Sequence, residues 1–357
     1  MSPFYDIYKS YEENYELGPV GLRNFKKPVL KKINLKYKFL GFNIMIPFGI
    51  PAGPLLNSKF TKAAFDFGFA VSTYKTIRSD FLPCLPYPNI LFVKTPKELH
   101  PEKIKQLVTT RKLNSLSKIS ITNSFGVPGW KPEIWQKDVR KALAYVKKGQ
   151  LMILGFMATV RENQTHKQFL DDFEITAKLA DETGAKVLEV NLSCPNRGND
   201  DLVCYDIKTT KEACSKIRKA IGNKPLILKV GYFKTDRELK KLSEIANEYA
   251  NAIASINTIP MKVVDRNGNQ ALSGKNRIKS GICGTAIKWA GLEMVNRLKK
   301  IKEKNNYNFE IIGVGGVITP KDYLEYRKAG ADLVQSATGS MWNPYLAHEV
   351  WEKEYDL

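Results

Sequence analysis

The chain has 357 residues, of which 43% are hydrophobic, and a formal net charge of +20. This length suits one large α/β domain or two ordinary ones, and no repeat of solenoid or propeller period is present. No apolar run of about 18 residues predicts a membrane span and the polar N-terminus does not resemble a signal peptide, so we expect a cytoplasmic protein.

The positive charge comes mostly from lysines that are spread along the whole chain. Nucleic-acid-binding proteins usually concentrate their charge in a patch or motif, and no zinc-finger, RNP-type or basic-arm motif is present. We therefore expect no nucleic-acid partner, although the charge should draw small anions toward a cleft. The five cysteines are scattered without a CxxC pair, which argues against metal or iron–sulfur ligation and against a disulfide framework.

The predicted elements begin with a hairpin, because Lys31–Ile44 alternates polar and apolar residues around Gly41. Its apolar face carries Leu35, Tyr37 and Phe39. Eight apolar runs then predict strands: Met45–Ala52, Phe69–Lys75, Leu151–Ala158, Ala185–Leu192, Pro225–Val230, Ala252–Asn257, Glu310–Val314 and Leu333–Ser336. Amphipathic stretches between them predict helices: Lys167–Thr183, Lys208–Ile221, Arg237–Tyr249, Ala286–Lys302 and Pro320–Ala329.

This alternation predicts an α/β fold, a (β/α)8 TIM barrel. The alternative, an open doubly wound sheet, lacks the expected GxGxxG after the first strand. We divide the chain into an N-terminal extension with the hairpin (1–44) and a barrel (45–357). The connection after the second strand, from Thr76 to about Ala144, is unusually long and contains the apolar piece Ile90–Val93. Long connections in compact domains are usually functional or partly ordered on their own, and we expect this one at the top face of the barrel.

The carboxyl-terminal ends of the predicted strands, where barrel enzymes hold their active sites, carry polar and small residues. They are Ala52-Gly53, Lys75-Thr76, Asn191 with Cys194 and Asn196 beyond it, Lys229, Asn257-Thr258, Gly315-Gly316 and Ala337-Thr338. A lysine at the end of a buried strand is costly unless it meets an anion or an electron-rich ring, although one such lysine alone is more often a surface residue. The small residues after the last two strands, with Gly281 and Gly284, indicate a backbone site for one phosphate-bearing cofactor.

Two motifs resemble the dihydroorotate dehydrogenases, the FMN-dependent barrel enzymes that oxidise (S)-dihydroorotate to orotate in pyrimidine (UMP) synthesis. Asn191–Asn196 reads NLSCPN, the cysteine form found in class 1 enzymes, and Asn123–Pro128 reads NSFGVP and is similar to the substrate loop of class 1A. The resemblance runs from about Ile44 to the C-terminus.

The resemblance implies that Cys194 is the general base and that flavin N5 takes the hydride. It implies that the substrate is held by Lys75, Asn123, Phe125, Gly126, Val127, Asn191, Asn196, Asn257 and Thr258. It implies that FMN is held by Ala52, Gly53, Lys75, Thr76, Asn191, Lys229, Gly281, Gly284, Gly315, Gly316, Ala337 and Thr338. For class 1A it further implies fumarate as the electron acceptor and a homodimer, while NAD through a partner subunit and quinone stay open.

The chain departs from the class 1A pattern in three places: an insertion at about residues 78–112, a longer N-terminal segment, and Ala337 in place of the usual glycine. We expect the insertion to pack over or beside the active-site mouth, and the alternative is a solvent-facing elaboration. Two other families stay as alternatives. Dihydropyrimidine dehydrogenases share the NLSCP motif but use a cysteine near the position of Cys204, and they carry His where this chain has Asn196. Dihydrouridine synthases act on tRNA and would explain the basic charge, but we expect no helical RNA-binding domain in the few residues after Leu346.

Overall fold

Fifteen strands are present in the computed structural model, which describes residues 2–29, 35–111, 115–193 and 202–355. They are β1 (Tyr37–Phe39), β2 (Phe42–Ile44), β3 (Phe48–Ile50), β4 (Val71–Ile77), β5 (Ile90–Lys94), β6 (Leu107–Thr110), β7 (Ser120–Asn123), β8 (Leu151–Phe156), β9 (Val187–Asn191), β10 (Leu226–Val230), β11 (Ala252–Ser255), β12 (Ile259–Val264), β13 (Lys279–Gly284), β14 (Glu310–Val314) and β15 (Leu333–Gln335).

Ten α-helices accompany these strands in the same described ranges. They are α1 (Tyr11–Leu17), α2 (Ser58–Asp66), α3 (Pro132–Leu143), α4 (His166–Asp181), α5 (Ile207–Ile221), α6 (Asp236–Tyr249), α7 (Lys288–Asn305), α8 (Pro320–Ala329), α9 (Thr338–Trp342) and α10 (Leu346–Tyr355). None of the helices in the described ranges has the length and apolar character that a bilayer crossing requires.

Eight of the strands close into an all-parallel barrel in chain order: β3, β4, β8, β9, β10, β11, β14 and β15, with β15 pairing back to β3. Each of them coincides with one of the eight strands that the apolar runs predict, so the (β/α)8 barrel is confirmed. The first is shorter than predicted, because Pro47 and Pro51 flank it and neither has an N–H to give to the ladder.

The five predicted helices also form, as α4 to α8, and local capping explains where they begin. The Thr165 hydroxyl accepts from the Gln168 N–H at the start of α4, and the Thr165 N–H donates to the side-chain oxygen of Gln168. One face of α4 buries Phe169 and Phe173 against the barrel. Burying each phenyl ring contributes about 1.5–3 kcal/mol, which fixes the helix on the sheet more firmly than its cap does.

The predicted hairpin forms as β1 and β2, joined by Leu40 and Gly41, which both have positive φ as a tight hairpin turn requires. Residues 31–34 of the predicted range lie outside the described residues. The Leu40 N–H donates to Glu310 at the start of β14, 2.8 Å away. The hairpin therefore lies at the amino-terminal end of the barrel strands, opposite the end predicted to hold the site.

A second, smaller sheet is formed by two connections that are far apart in the chain. The connection after β4 supplies β5, β6 and β7, the connection after β11 supplies β12 and β13, and these five strands close into a ring. Only the apolar piece Ile90–Val93 pointed to any of them in the sequence. Ile90 of β5 and Ile121 of β7 line the cavity described below, and Ile90 lies within the predicted insertion, so this part of the insertion borders the cavity. Lys112, at the end of the predicted insertion, lies outside the described residues.

Candidate active site

A cavity of about 290 Å³ lies at the carboxyl-terminal ends of the barrel strands. Every predicted site residue that the structure describes lines this cavity: Ala52, Gly53, Lys75, Thr76, Asn123, Phe125, Gly126, Val127, Asn191, Lys229, Asn257, Thr258, Gly281, Gly284, Gly315, Gly316, Ala337 and Thr338. Cys194 and Asn196 lie outside the described residues. Ser193, the residue before Cys194, lines the cavity too.

Three amide side chains reach the cavity from three different segments. Asn191 ends β9 and is buried, and its oxygen accepts from the Ser193 N–H at 3.1 Å. Asn123 ends β7 in the smaller sheet, and Asn257 follows β11. Because each amide offers both donors and an acceptor, this set suits a ligand with several carbonyl and N–H groups.

Two buried lysines face the cavity from β4 and β10. Lys75 and Lys229 are each only 8% exposed, and Lys75 donates to the Gly53 carbonyl at 3.2 Å. Burial lowers the pKa of Lys75 to about 8, against a smaller opposing effect of Cys84. In the described ranges no carboxylate lies within 4.0 Å of either ammonium group. Buried cations without an ion pair are costly, so the cavity favours an anionic ligand.

Glycines allow the backbone to approach closely where the cavity is lined by the residues after β14 and by the end of β13. Gly315 and Gly316 have φ values of 123° and 68°, and a Cβ on Gly316 would lie 2.6 Å from the Cβ of Lys288. A Cβ on Gly284 would lie 2.2 Å from the Ile119 carbonyl oxygen. Side chains are therefore excluded at these positions, and the backbone itself lines the cavity near Ala337 and Thr338.

Two buried arginines hold the loop that contains Phe125, Gly126 and Val127. The Arg78 guanidinium donates to the Val127 carbonyl at 2.7 Å and to the Gly126 carbonyl at 3.3 Å. Arg277 lies in the connection between β12 and β13 and donates to the Ser124 carbonyl at 2.7 Å. Charged donors make stronger hydrogen bonds than neutral ones, so Arg78 and Arg277 together hold this loop in place.

The competing thiol of Cys204 is not in the cavity. Cys204 is fully buried in a short 3-10 turn, Val203–Tyr205, and its N–H donates to the Leu192 carbonyl at 3.0 Å. A different thiol, Cys283, does line the cavity, and the Asn123 amide donates to its sulfur at 2.9 Å. Burial raises the pKa of Cys283 to about 12, so this thiol stays neutral near pH 7 and is unsuited to act as a base.

Sequence reasoning also missed Tyr5, which lines the cavity from the N-terminal segment. No periodic pattern or motif marks this residue. Cys283 carried a weak signal, since it lies between Gly281 and Gly284, which were assigned to the cofactor for their backbone alone.

The chain matches the family model described as dihydroorotate dehydrogenase over residues 113–354. It is 37% identical to a dihydroorotate dehydrogenase of Dictyostelium discoideum, over 97% of this chain and 95% of that protein. A dihydroorotate dehydrogenase B (NAD(+)) catalytic subunit of Thermodesulfovibrio yellowstonii is 33% identical over 51% of this chain and 58% of that protein. A putative dihydroorotate dehydrogenase A (fumarate) of Pediococcus pentosaceus is 29% identical over 50% of this chain and 57% of that protein. With this barrel, this cavity and these similarities, the chain belongs to the dihydroorotate dehydrogenase family and is an oxidoreductase.

Proposed function

We propose that the protein binds FMN and oxidises (S)-dihydroorotate to orotate in the synthesis of UMP. The observation that carries the proposal is the convergence on one cavity of three amides and two ammonium groups that form no ion pair with a described residue. Dihydroorotate is a cyclic ureide with a carboxylate, so it presents carbonyl and N–H groups to the amides and a negative charge to the lysines.

The cavity fits FMN by the chemistry of its lining. Gly315, Gly316, Ala337 and Thr338 would hold the phosphate, because small residues leave the backbone accessible there. Lys229 would lie against the flavin ring, where its charge stabilises the reduced form. The other residues proposed to contact FMN are Ala52, Gly53, Lys75, Thr76, Asn191, Gly281 and Gly284. FMN, when bound, would supply the acceptor for the hydride from C6 of the substrate.

The substrate is proposed to lie between the amides and the arginine-held loop. Asn123, Asn191, Asn196 and Asn257 would bond its polar edge, with Lys75, Thr258 and the segment 125–127 completing the site. Each buried hydrogen bond that is lost leaves a polar group unpaired at a cost of about 1–3 kcal/mol. This cost gives the site its specificity for a ureide.

Cys194 is proposed as the base that removes the proton from C5. Its neighbour Ser193 lines the cavity, whereas Cys204 is buried away from it, which favours Cys194 over the dihydropyrimidine-type alternative. An ordinary thiol has a pKa of about 8.5, so the rate of substrate oxidation should rise toward alkaline pH.

Fumarate is the proposed electron acceptor, and a cytoplasmic homodimer is the proposed form of the enzyme. The similarity of the substrate loop to class 1A supports the first proposal. The NAD-type relative supports the alternative, in which a partner subunit passes electrons to NAD. Steady-state assays with fumarate, NAD, a quinone and a dye, together with light scattering, distinguish these possibilities.

The function is tested by anaerobic mixing of the purified protein with dihydroorotate. We expect a yellow protein with one FMN per chain, whose flavin absorbance bleaches on addition of dihydroorotate and not on addition of dihydrouracil, which lacks the carboxylate. A protein that cannot be loaded with FMN, or whose flavin is reduced only by dihydrouracil, would contradict the proposal.

A further inference from the structure

The Lys75 ammonium group lies over two aromatic rings that come from different parts of the chain. Its nitrogen is 5.5 Å from the centre of the Tyr11 ring, in helix α1, and 4.9 Å from the centre of the Phe125 ring, in the arginine-held loop. Both distances are within the range of cation–π interactions. In the described ranges, the ammonium donates one hydrogen bond, to the Gly53 carbonyl. The two rings therefore form a large part of its surroundings.

Helix α1 is tied to the barrel, so the fold determines where the Tyr11 ring lies. Asn57, which caps helix α2, donates from its side-chain amide to the Tyr15 carbonyl at 2.7 Å. The Tyr11 side chain is buried and packs edge-on against Phe125, with 6.1 Å between ring centroids. The two rings over Lys75 thus support each other.

Aromatic rings hold a cation in a different way from a carboxylate. A carboxylate would neutralise the charge of the ammonium group, whereas a ring attracts the cation to the negative face of its quadrupole and leaves the net charge unchanged. This attraction is strongest where water is excluded, and Lys75 is only 8% exposed. The positive charge of Lys75 therefore stays available to an anionic ligand in the cavity that this residue lines.

The other titratable groups that act on Lys75 are Lys229 on β10 and Cys84 in the connection after β4. The Lys229 charge disfavours the protonated form of Lys75, and Cys84 favours it. Burial raises the pKa of Cys84 to about 11 and the pKa of the Tyr11 hydroxyl well above its ordinary value. Both groups are therefore neutral in the pH range where Lys75 loses its proton.

We infer that Tyr11 is a positioning residue of the active site: its ring, together with that of Phe125, holds the Lys75 ammonium group in its charged form at the cavity, where an anionic substrate binds. Helix α1 of the N-terminal segment is then a part of the active site, although none of its residues lines the cavity. This inference rests on the proposed function and gives a role to a segment outside the barrel.

The test measures the Kd for orotate between pH 6 and pH 9, by titrating the FMN-loaded proteins and following the flavin absorbance. Tyr11→Leu removes the ring, Tyr11→Met is a second variant without a ring, and Tyr11→Phe keeps the ring and loses only the hydroxyl. Without the ring, Lys75 should lose its proton about one pH unit lower, so the Kd should begin to rise about one pH unit earlier. The Kd should then be about five-fold above the wild-type value at pH 8 and close to it at pH 6. Tyr11→Phe should keep the wild-type profile.

Tyr15→Leu is the matched control, because it removes another ring from the same helix. The Tyr15 ring packs against Tyr11 and Trp130, with 6.1 and 5.4 Å between ring centroids, whereas the Lys75 ammonium lies over Tyr11. Tyr15→Leu should lower the Tm without shifting the pH profile of the Kd. In a Lys75→Met background, Tyr11→Leu should cause no further change in this profile, because the charge on which the ring acts is absent.

A wild-type pH profile in stable, FMN-loaded Tyr11→Leu and Tyr11→Met proteins would overturn the inference. A Kd raised equally at every pH, or the same shift in Tyr15→Leu, would assign the effect to general loosening of α1, and an equal shift in Tyr11→Phe would assign it to the hydroxyl. A wild-type Kd that is constant from pH 6 to pH 9 would show that the Lys75 charge does not bind the ligand. A wild-type protein that binds neither FMN nor orotate would instead remove the proposed function, and needs no variant to detect.

Discussion

Glu189 and Asn191 are two residues apart on β9, so their side chains lie on the same face of the strand. Lys229 on the neighbouring strand β10 is paired with Asn191. Glu189 is 1% exposed, and neither of its carboxylate oxygens has a hydrogen-bond partner among the described residues. Burial raises the pKa of the Glu189 carboxyl, and the nearby Lys229 charge opposes this only in part. The barrel therefore buries this carboxyl two residues before Asn191, a residue of the proposed flavin site, and this burial lowers the stability of the folded protein.

Replacement of this carboxyl is expected to stabilise the protein at neutral pH. In the unfolded chain Glu189 ionises near its ordinary pKa of 4.5, while its raised pKa in the folded state favours the protonated form. Ionised Glu189 therefore lowers the free energy of unfolding by an amount that grows as the pH rises from about 4.5 to the raised pKa of the folded state. Below about pH 4.5 the carboxyl is protonated in both states and this destabilisation is absent. Glu189→Gln cannot ionise and should gain about 1–3 kcal/mol in the free energy of unfolding at pH 8, measured by urea denaturation. The gain should shrink at pH 5, and an equal gain at both values would contradict the assignment.

Orotate binding should weaken as the pH rises above 8. Burial lowers the pKa of Lys75 to about 8, so its ammonium loses its proton, and its attraction for an anion, above that pH. We expect the Kd for orotate to rise by up to about ten-fold per pH unit between pH 8 and 9.5. The measurement is a flavin absorbance titration at several pH values. In Lys75→Met the Kd should be high and should lack this dependence, and a slope that survives the substitution would rule out Lys75 as its cause.

Removal of the Arg277 guanidinium should weaken substrate binding as well as stability. Arg277 is 2% exposed and donates to the carbonyls of Ser124 and Pro86, at 2.7 and 2.6 Å. Arg277→Met keeps the apolar stem but removes the charged donor, so these carbonyls retain only the bonds from the Asn89 side-chain amide, at 3.1 and 3.4 Å. We therefore expect a loss of about 1–3 kcal/mol in the free energy of unfolding and a KM for dihydroorotate raised about ten-fold.

A matched arginine separates the two effects of that substitution. Arg218 donates to the carbonyls of Tyr249 and Lys224, and it is outside the cavity lining. Arg218→Met should cost similar stability in urea denaturation without raising the KM. If both variants raise the KM equally, the effect of Arg277→Met is general destabilisation, and the position of the loop at residues 125–127 does not depend on Arg277 in particular.

The two candidate thiols are distinguished by stopped-flow measurement of flavin reduction. Cys194→Ser should slow reduction by dihydroorotate by about 10²-fold or more, with a smaller loss at high pH, because serine is a much weaker base than a thiolate. Cys204→Ser should have little effect on this rate, since Cys204 is buried outside the cavity. A slower Cys204→Ser enzyme beside a normal Cys194→Ser enzyme would favour the dihydropyrimidine-type mechanism.

The eight barrel strands and the position of the site follow from local sequence. Strands buried on both faces read as continuous apolar runs, and a right-handed crossover between them places all their carboxyl ends at one mouth. Residues as distant in the chain as Lys75, Asn191 and Gly315 are therefore assigned to one site by sequence alone, because each follows or ends such a run. The family resemblance added the chemical roles, which spacing by itself does not specify.

Tertiary structure alone decided the parts of the molecule that depend on distant partners. The strands β5 to β7 are short and lack a strong pattern, and they form a closed sheet only because β12 and β13, more than a hundred residues later, supply the pairing. Tyr5 reaches the cavity because Met341 and Asn14 hold the segment that carries it. The surroundings of the Glu189 carboxyl are likewise a property of the folded interior. Sequence periodicity reports which face of an element is buried, whereas these features depend on which other segment is packed against that face.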